Sequence, residues 1–450
     1  METTSFKIGC ATGFSGDRTD GVMPVVDTLI QSGGHALIFE TLAERTLALS
    51  QLAKNQNPEL GYEPLLADLL RPALGACLQH GIRIVSNFGA ANPPAAARRI
   101  MALAQELQLR APRIAVLSGD QLAQPEQLAF LREQLGPGFD QLDIVSVNAY
   151  QGASEIAQAL RAGADIVVAG RVADPSLVLG PALAHFGWAD DDWHRLGCAT
   201  IAGHLLECGT QVTGGYFAVP GLKDVPGMDA LGFPIADISP SGELSISKAM
   251  NTGGVVNEQT VKEQLLYEVH DPAAYLTPDV SADISRVTVA QTADDVVRVN
   301  NVTGHPRPDA LKVNICYHGG WLAEAEISYA GVQAEARARL AADTILKRLG
   351  SAMKVRVDLI GAVSLFSDDD GNYLRSQAPS RARDIRLRIA GAHAQKEVAE
   401  RVLREVTALY TCGPAGGGGV RTSLRPRLNS LSGTVPRDLA PASWRFMEEQ

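Results

Sequence analysis

Hydrophobic positions in the first half of the chain gather into six short runs, each ending at small or polar residues: 6–10, 36–40, 82–89, 113–120, 143–148 and 164–176. Strands buried on both faces of a parallel sheet read as near-continuous apolar runs of this kind. Between them, apolar residues recur at helical spacing over 24–31, 41–54, 64–80, 94–109, 121–134, 154–161 and 175–186, and again over 193–208. The spacing predicts strands that alternate with helices and share one parallel sheet. Ligands of such sheets lie beyond the carboxyl ends of the strands. Here those ends carry Asp17, Glu40, Asn87, Asp120, Asn148, Arg171 and Asp174.

After Gly209 the pattern changes. Residues 211–232 are rich in Gly and Pro and read as a long ordered loop. A hairpin follows, with arms 235–238 and 244–248 around Ser239-Pro240-Ser241-Gly242, then a helix over 257–268 and a strand-like stretch over 284–300. From Lys312 the order is strand (313–317), turn (His318-Gly319-Gly320), strand (322–328), helix (332–349), strand (355–362), strand (384–389) and helix (395–410). That succession is ferredoxin-like. Residues 381–391 read as a basic edge, and the chain after Gly413 has little periodicity. The predicted architecture is α/β: a mostly parallel doubly wound sheet in the N-terminal domain, followed by an α+β region that includes the ferredoxin-like segment. The expected divisions are 1–230, a hairpin and helix insertion or inter-domain region over 231–305, 306–412, and a Gly-rich docking tail over 413–450.

With 450 residues and 46% apolar content, the chain is long enough for two or three domains with full cores. The net charge is −10 and the basic residues are dispersed. That argues against a nucleic-acid surface and gives no general reason for membrane attraction. No apolar stretch approaches the ~18 residues of a membrane span. The six cysteines are far apart and form no C-x-x-C pair, which fits a reducing, cytoplasmic setting.

Four segments carry candidate chemistry. In the first loop, Gly13 and Gly16 let the backbone approach a ligand, with Asp17 and Arg18 beside them. It is neither G-x-G-x-x-G nor a Walker loop, so no nucleotide cofactor is expected. Asn87 and Gly89 end the third run; Asn92, before two prolines, reads as a helix cap. Arg171 and Asp174 pair a cation with a carboxylate, Arg171 being suited to gripping a substrate carboxylate and Asp174 to moving a proton or capping the next helix. His204, Glu207 and Cys208 share one helix face at i, i+3 and i+4, ahead of Thr213-Gly214-Gly215. Three candidate ligands without H-E-x-x-H make a poor metal signature, so no metal is expected. Asp368-Asp369-Asp370-Gly371 lacks the closing Glu of a calcium loop and reads as a solvated tip.

Taken together, Lys7 through Asp17, Asn87-Phe88-Gly89, Gly170 through Ser176, and His204 through Gly209 with Thr213-Gly214-Gly215 resemble the acyclic terpene utilization (AtuA) family, formerly a domain of unknown function. The resemblance implies catabolism of small branched acids or acyl-CoA esters, because family members are encoded beside enzymes that degrade them. It supplies no catalytic assignment. The residues suit hydration or dehydration by acid–base catalysis beside a carboxylate or thioester carbonyl, and with what the resemblance implies the expected substrate is a branched acid or its CoA ester. Asp174, His204, Glu207 and Asp17 would be the catalytic set. Gly13, Gly16, Arg18, Asn87, Gly89, Arg171, Thr213, Gly214 and Gly215 would bind the substrate. A metal-assisted hydrolase or aldolase using His204 and Glu207 is one alternative. A non-catalytic acyl-binding or scaffold subunit is another. A homo-oligomer is expected, with the tail as a contact.

Overall fold

A computed structural model describes residues 5–448. It divides the chain into two compact units: residues up to 316 together with those from 430 onward, and residues 317–429.

In the first unit the apolar runs become β1 (Phe6–Cys10), β2 (Ala36–Phe39), β3 (Arg83–Ser86), β4 (Ile114–Ser118), β5 (Ile144–Ala149) and β6 (Ile166–Val168). Five of them lie parallel in the order β1-β2-β3-β6-β4. Every residue of β2 and β6 is buried, which is why their sequences lack polar alternation. The helices α1 (Val22–Ser32), α2 (Glu44–Gln56), α3 (Leu66–Leu70), α4 (Leu74–His80), α5 (Pro93–Glu106), α6 (Pro125–Leu135), α7 (Ser154–Arg161), α8 (Ser176–Phe186) and α9 (Trp193–Glu207) fill the connections. Two cores result. Ile8, Ile38 and Val167 face α7, α8 and α9, whereas Leu37, Phe39 and Ile84 face α1, α3, α4 and α5. One expected helix over 64–80 is two, because Pro72 lacks an N–H and cannot continue α3 into α4.

The fifth run departs from expectation. β5 is not in the large sheet; it pairs with β14 (Ala310–Ala330). A short apolar run declares a buried strand but not its neighbour. The region 231–305 supplies much of the same unit. After α10 (Glu258–Leu266), it gives β9 (Tyr275–Leu276), β10 (Ser281–Asp283), β11 (Thr288–Ala293), β12 (Val296–Asn300) and β13 (Thr303–His305). With β7 (Pro234–Ile238) and β8 (Leu244–Lys248), the strands β11 and β12 extend the sheet antiparallel from β1 in the order β11-β12-β8-β7-β1. β18 (Ser443–Phe446) closes the opposite edge on β4, making ten strands. β13, β10 and β9 form a separate small sheet.

The second unit runs over 317–429, where 306–412 was expected. The expected turn at His318-Gly319-Gly320 is absent: β14 continues through it, with Gly320 alone in the left-handed region. Then come α11 (Ala334–Leu349), β15 (Val355–Ile360), α12 (Asn372–Ser376), β16 (Asp384–His393), α13 (Lys396–Cys412) and β17 (Gly418–Pro436), in the sheet order β15-β16-β14-β17. The expected basic edge is therefore an inner strand, β16. Its Arg388 is neutralised from both neighbours, by Asp358 of β15 at 2.6 Å and by Glu324 of β14. Asp368 accepts N–H bonds from Asp370, Asn372 and Tyr373, which ties the loop to the first turn of α12.

Among the described residues no helix is long and apolar enough to cross a membrane. All six cysteines are free thiols.

Candidate active site

Close backbone approaches fix the elements around a cavity of about 760 Å³ in the first unit. A Cβ on Gly13 would lie 2.5 Å from the carbonyl carbon of Cys208, so the loop after β1 rests directly on the end of α9. A Cβ on Gly203 would lie 2.6 Å from Cα of Pro175, so α9 also presses against the turn that carries Asp174. A Cβ on Gly89 would lie 2.5 Å from the Ala169 carbonyl oxygen, which locks the ends of β3 and β6 together. Side chains from the ends of β2, β5 and β6 and from α9 consequently face one space. That volume is within the usual range of small-molecule sites, roughly 300–1,000 Å³.

Arg171 is the largest fully buried side chain, 1% exposed. Its backbone N–H donates to Asp120 (3.0 Å), and its Nε and Nη2 donate to the Val172 carbonyl (2.9 and 2.7 Å). Nη1 donates to the Leu42 carbonyl and Nη2 also to Asp174. Four of the five guanidinium N–H groups are thus satisfied by the protein, leaving one on Nη1. The guanidinium carbon sits 4.5 Å from the ring centre of Tyr150, and Lys312 Nζ lies 4.6 Å from the same ring. The Tyr150 hydroxyl donates to Glu44 at 2.5 Å, and Lys312 pairs with Glu44 at 3.5 Å. Burial pushes the Glu44 carboxyl up, but the Tyr150 hydroxyl and the nearby cations bring it below its ordinary value. Burial raises Asp174 although Arg171 opposes the shift. The Asp174 side chain is 32% exposed, and it lines the cavity.

Two further groups hold protons near neutrality. Glu40 is 6% exposed, and its Oε1 accepts from Leu42 N (2.7 Å) and Asn87 Nδ2 (2.9 Å), which leaves Oε2 for a proton. Burial and the charge of Asp174 push its pKa up to about 8, against the pull of Arg171. His204 Nδ1 meets Glu207 Oε1 at 3.1 Å, and Nε2 meets the Leu265 carbonyl at 3.3 Å. A carbonyl only accepts, so Nε2 carries a hydrogen, and a second proton lies between Nδ1 and Glu207. Burial raises Glu207 to about 7, and the bond to Glu207 raises His204 despite its own burial. Glu207 Oε2 is buried without a partner, and the Tyr275 ring covers the imidazole at 4.9 Å.

The family model for the acyclic terpene utilisation family protein AtuA matches residues 6–446. The chain belongs to the AtuA family. Searches of curated proteins and of solved structures returned no match. The family takes its description from acyclic terpene utilisation.

In this AtuA family member, Gly13, Asp17, Arg171, Asp174, His204, Glu207 and Gly215 line the cavity together, as does Cys208. Asp17 uses its oxygens on Gly13 N (2.8 Å) and Arg18 N (2.7 Å), closing the loop. Other expected substrate contacts lie elsewhere. Arg18 turns outward to Asp20 (2.9 Å). Asn87 is fully buried behind the cavity, where it holds Glu40 and accepts from Thr41 N at 2.8 Å. Gly16, Gly89, Thr213 and Gly214 do not line the cavity; the Thr213 hydroxyl donates to the Gly232 carbonyl at 2.6 Å and anchors the loop over 214–232. Asn92 stands at the start of α5, but its amide donates to Pro58 and Leu60 rather than capping. Among the described residues, no three His, Cys, Asp or Glu side chains are grouped so as to hold a metal. The sequence reading missed Glu44, Tyr150, Glu268, Tyr275 and Lys312, and gave Glu40 no chemical role.

Proposed function

We propose that the chain is an acid–base lyase that adds water to, or removes it from, a carbon–carbon double bond of a branched acyl compound, a carboxylic acid or its CoA ester. One observation carries this reading: two proton-holding systems, Glu40 and the His204–Glu207 pair, line the same cavity with pKa values raised towards neutrality. Groups poised in this way are suited to general acid and general base roles at physiological pH.

In the hydration direction, the His204–Glu207 pair takes a proton from water as its oxygen bonds to the β-carbon. The electron pair of the double bond shifts through the α-carbon to the carbonyl oxygen, forming an enolate. The free Nη1 hydrogen and the charge of Arg171 stabilise that oxygen. The enolate then reforms the carbonyl as its α-carbon takes the proton of Glu40. Solvent returns the proton gained by the pair to Glu40, so the sum is one water added. Asp174 keeps Arg171 in place, and Asp17 shapes the loop. The rim supports an apolar chain: Phe14, Tyr216 and Leu276 are 56%, 90% and 65% exposed at the cavity. Tyr216 is also held in the left-handed region (φ 55°), an unusual conformation for such a residue.

The same reading has the enzyme work in the cytoplasm as a homo-oligomer, on a doubly wound N-terminal sheet followed by a ferredoxin-like segment. The test is to incubate the purified chain with unsaturated and hydroxylated branched acids, free and as CoA esters, and to follow gain or loss of the mass of water. Turnover that disappears in Glu40→Gln and Glu207→Gln supports it. Turnover unaffected by both variants refutes the assignment, and ligand binding with no turnover on any compound favours an acyl-binding subunit instead.

A further inference from the structure

The charge around the cavity selects the form in which an acyl group enters. Six acidic side chains line it: Asp17, Glu40, Glu44, Asp174, Glu207 and Glu268. The facing cations besides the His204 imidazole are Arg171 and Lys312, and each already has a carboxylate partner, Asp174 and Glu44 respectively. Arg171 has one N–H left and so cannot offer the two parallel donors that grip a carboxylate. A second carboxylate in this space would meet like charge with no free counter-ion, in surroundings that weaken solvent screening. A carbonyl needs only one donor and brings no charge.

Building on the acid–base reading above, we propose that the site takes its acyl substrate with a neutral carbonyl at the reacting end, a thioester or amide-like group, and excludes the free carboxylate. The apolar rim formed by Phe14, Tyr216 and Leu276 then accepts the branched chain.

Binding tests this without requiring turnover. Geranic acid, its primary amide and its N-acetylcysteamine thioester share one branched unsaturated chain and differ in charge. Calorimetric titration of the full chain at about pH 7.5, where the acid is ionised, should give Kd values for the amide and thioester about tenfold or more below that of the acid. Near pH 4.5 the acid is largely neutral and the gap should narrow. Glu268→Gln, which removes one wall charge, should narrow it at pH 7.5 as well. A carboxylate that binds as tightly as the amide at pH 7.5, or neutral forms that do not bind, would overturn the inference. The ranking is independent of catalysis: if hydration fails but the neutral forms bind better, the proposed reaction falls and the charge selection stands.

Discussion

Replacing Glu40 with Gln isolates the proton that the proposed mechanism relies on. Gln keeps an Oε1 able to accept from Leu42 N and Asn87 Nδ2, as Glu40 does at 2.7 and 2.9 Å, so the local structure should persist. What disappears is the ionisation. The folded protein holds the Glu40 proton up to about pH 8, whereas the ordinary carboxyl releases it near 4.5. A folded-state pKa above the unfolded one means that stability is full below pH 4.5 and declines as pH rises through 8. At pH 7 the decline from this group is about 3 kcal/mol, taking about 1.4 kcal/mol per pKa unit. Glu207 and His204 are also raised and add decline of the same sign in both proteins, so the difference between wild type and variant reports Glu40 together with its interaction with Asp174. Urea unfolding of both proteins at pH 5, 7 and 8.5 measures it. The variant should lie within about 1 kcal/mol of wild type at pH 5, exceed it by about 3 kcal/mol at pH 7 and gain only about 1 kcal/mol more by pH 8.5, while its kcat falls about 10²–10⁴-fold for loss of a general acid. Parallel pH slopes in the two proteins would refute the placement of a proton on Glu40, whatever happened to activity.

Further outcomes follow from the same geometry. Arg171→Ala strands Asp174 and the Leu42 and Val172 carbonyls, and should lower stability by about 3–5 kcal/mol, read as a shift in urea midpoint; unchanged stability would free Arg171 for the purely substrate-gripping role its sequence context suggests. Glu207→Gln should remove the limb of the kcat/KM profile near pH 7 that the His204–Glu207 pair supplies, leaving the Glu40 limb near pH 8; a profile that keeps both limbs would sink the pair's role. Gly203→Ala places a methyl 2.6 Å from Pro175 Cα, so α9 must shift, with a cost of about 1–3 kcal/mol and a loss of activity larger than the loss of stability explains. Normal activity in that variant would show that the spacing between α9 and the Asp174 turn is not critical.

How far the site could be read in advance depended on how local its signals were. Strand ends and helical spacing are local, and they brought Asp17, Arg171, Asp174, His204 and Glu207 into view. Glu40 was visible at a strand end, but its chemistry comes from burial beside Asp174, which no local pattern reports. Two of the missing residues, Tyr150 and Lys312, share one cause. Tyr150 follows β5, and its N–H donates to the Lys312 carbonyl at 2.9 Å in β14. The pairing of β5 with β14 that escaped the hydrophobic pattern is the same pairing that carries Tyr150 and Lys312 to the cavity and sets them against Glu44. Asn87 failed for the opposite reason. A polar residue at a strand end satisfies the positional rule equally well whether its amide meets a ligand or, as here, a neighbouring carboxylate.

The bare positions at Gly13 and Gly203 bear on how such a protein can diversify. α9 touches the first loop at Cys208 and the Asp174 turn at Gly203, five residues earlier, in both cases backbone to backbone. With no side chain in between to act as a spacer, neither joint can be retuned by swapping one residue for a larger one. The reactive groups therefore keep a fixed separation, while Phe14, Tyr216 and Leu276, which project into open water, are free to be exchanged. Variation in chain length or branching among accepted molecules should accordingly be written at the mouth, with the reaction itself held constant beneath it.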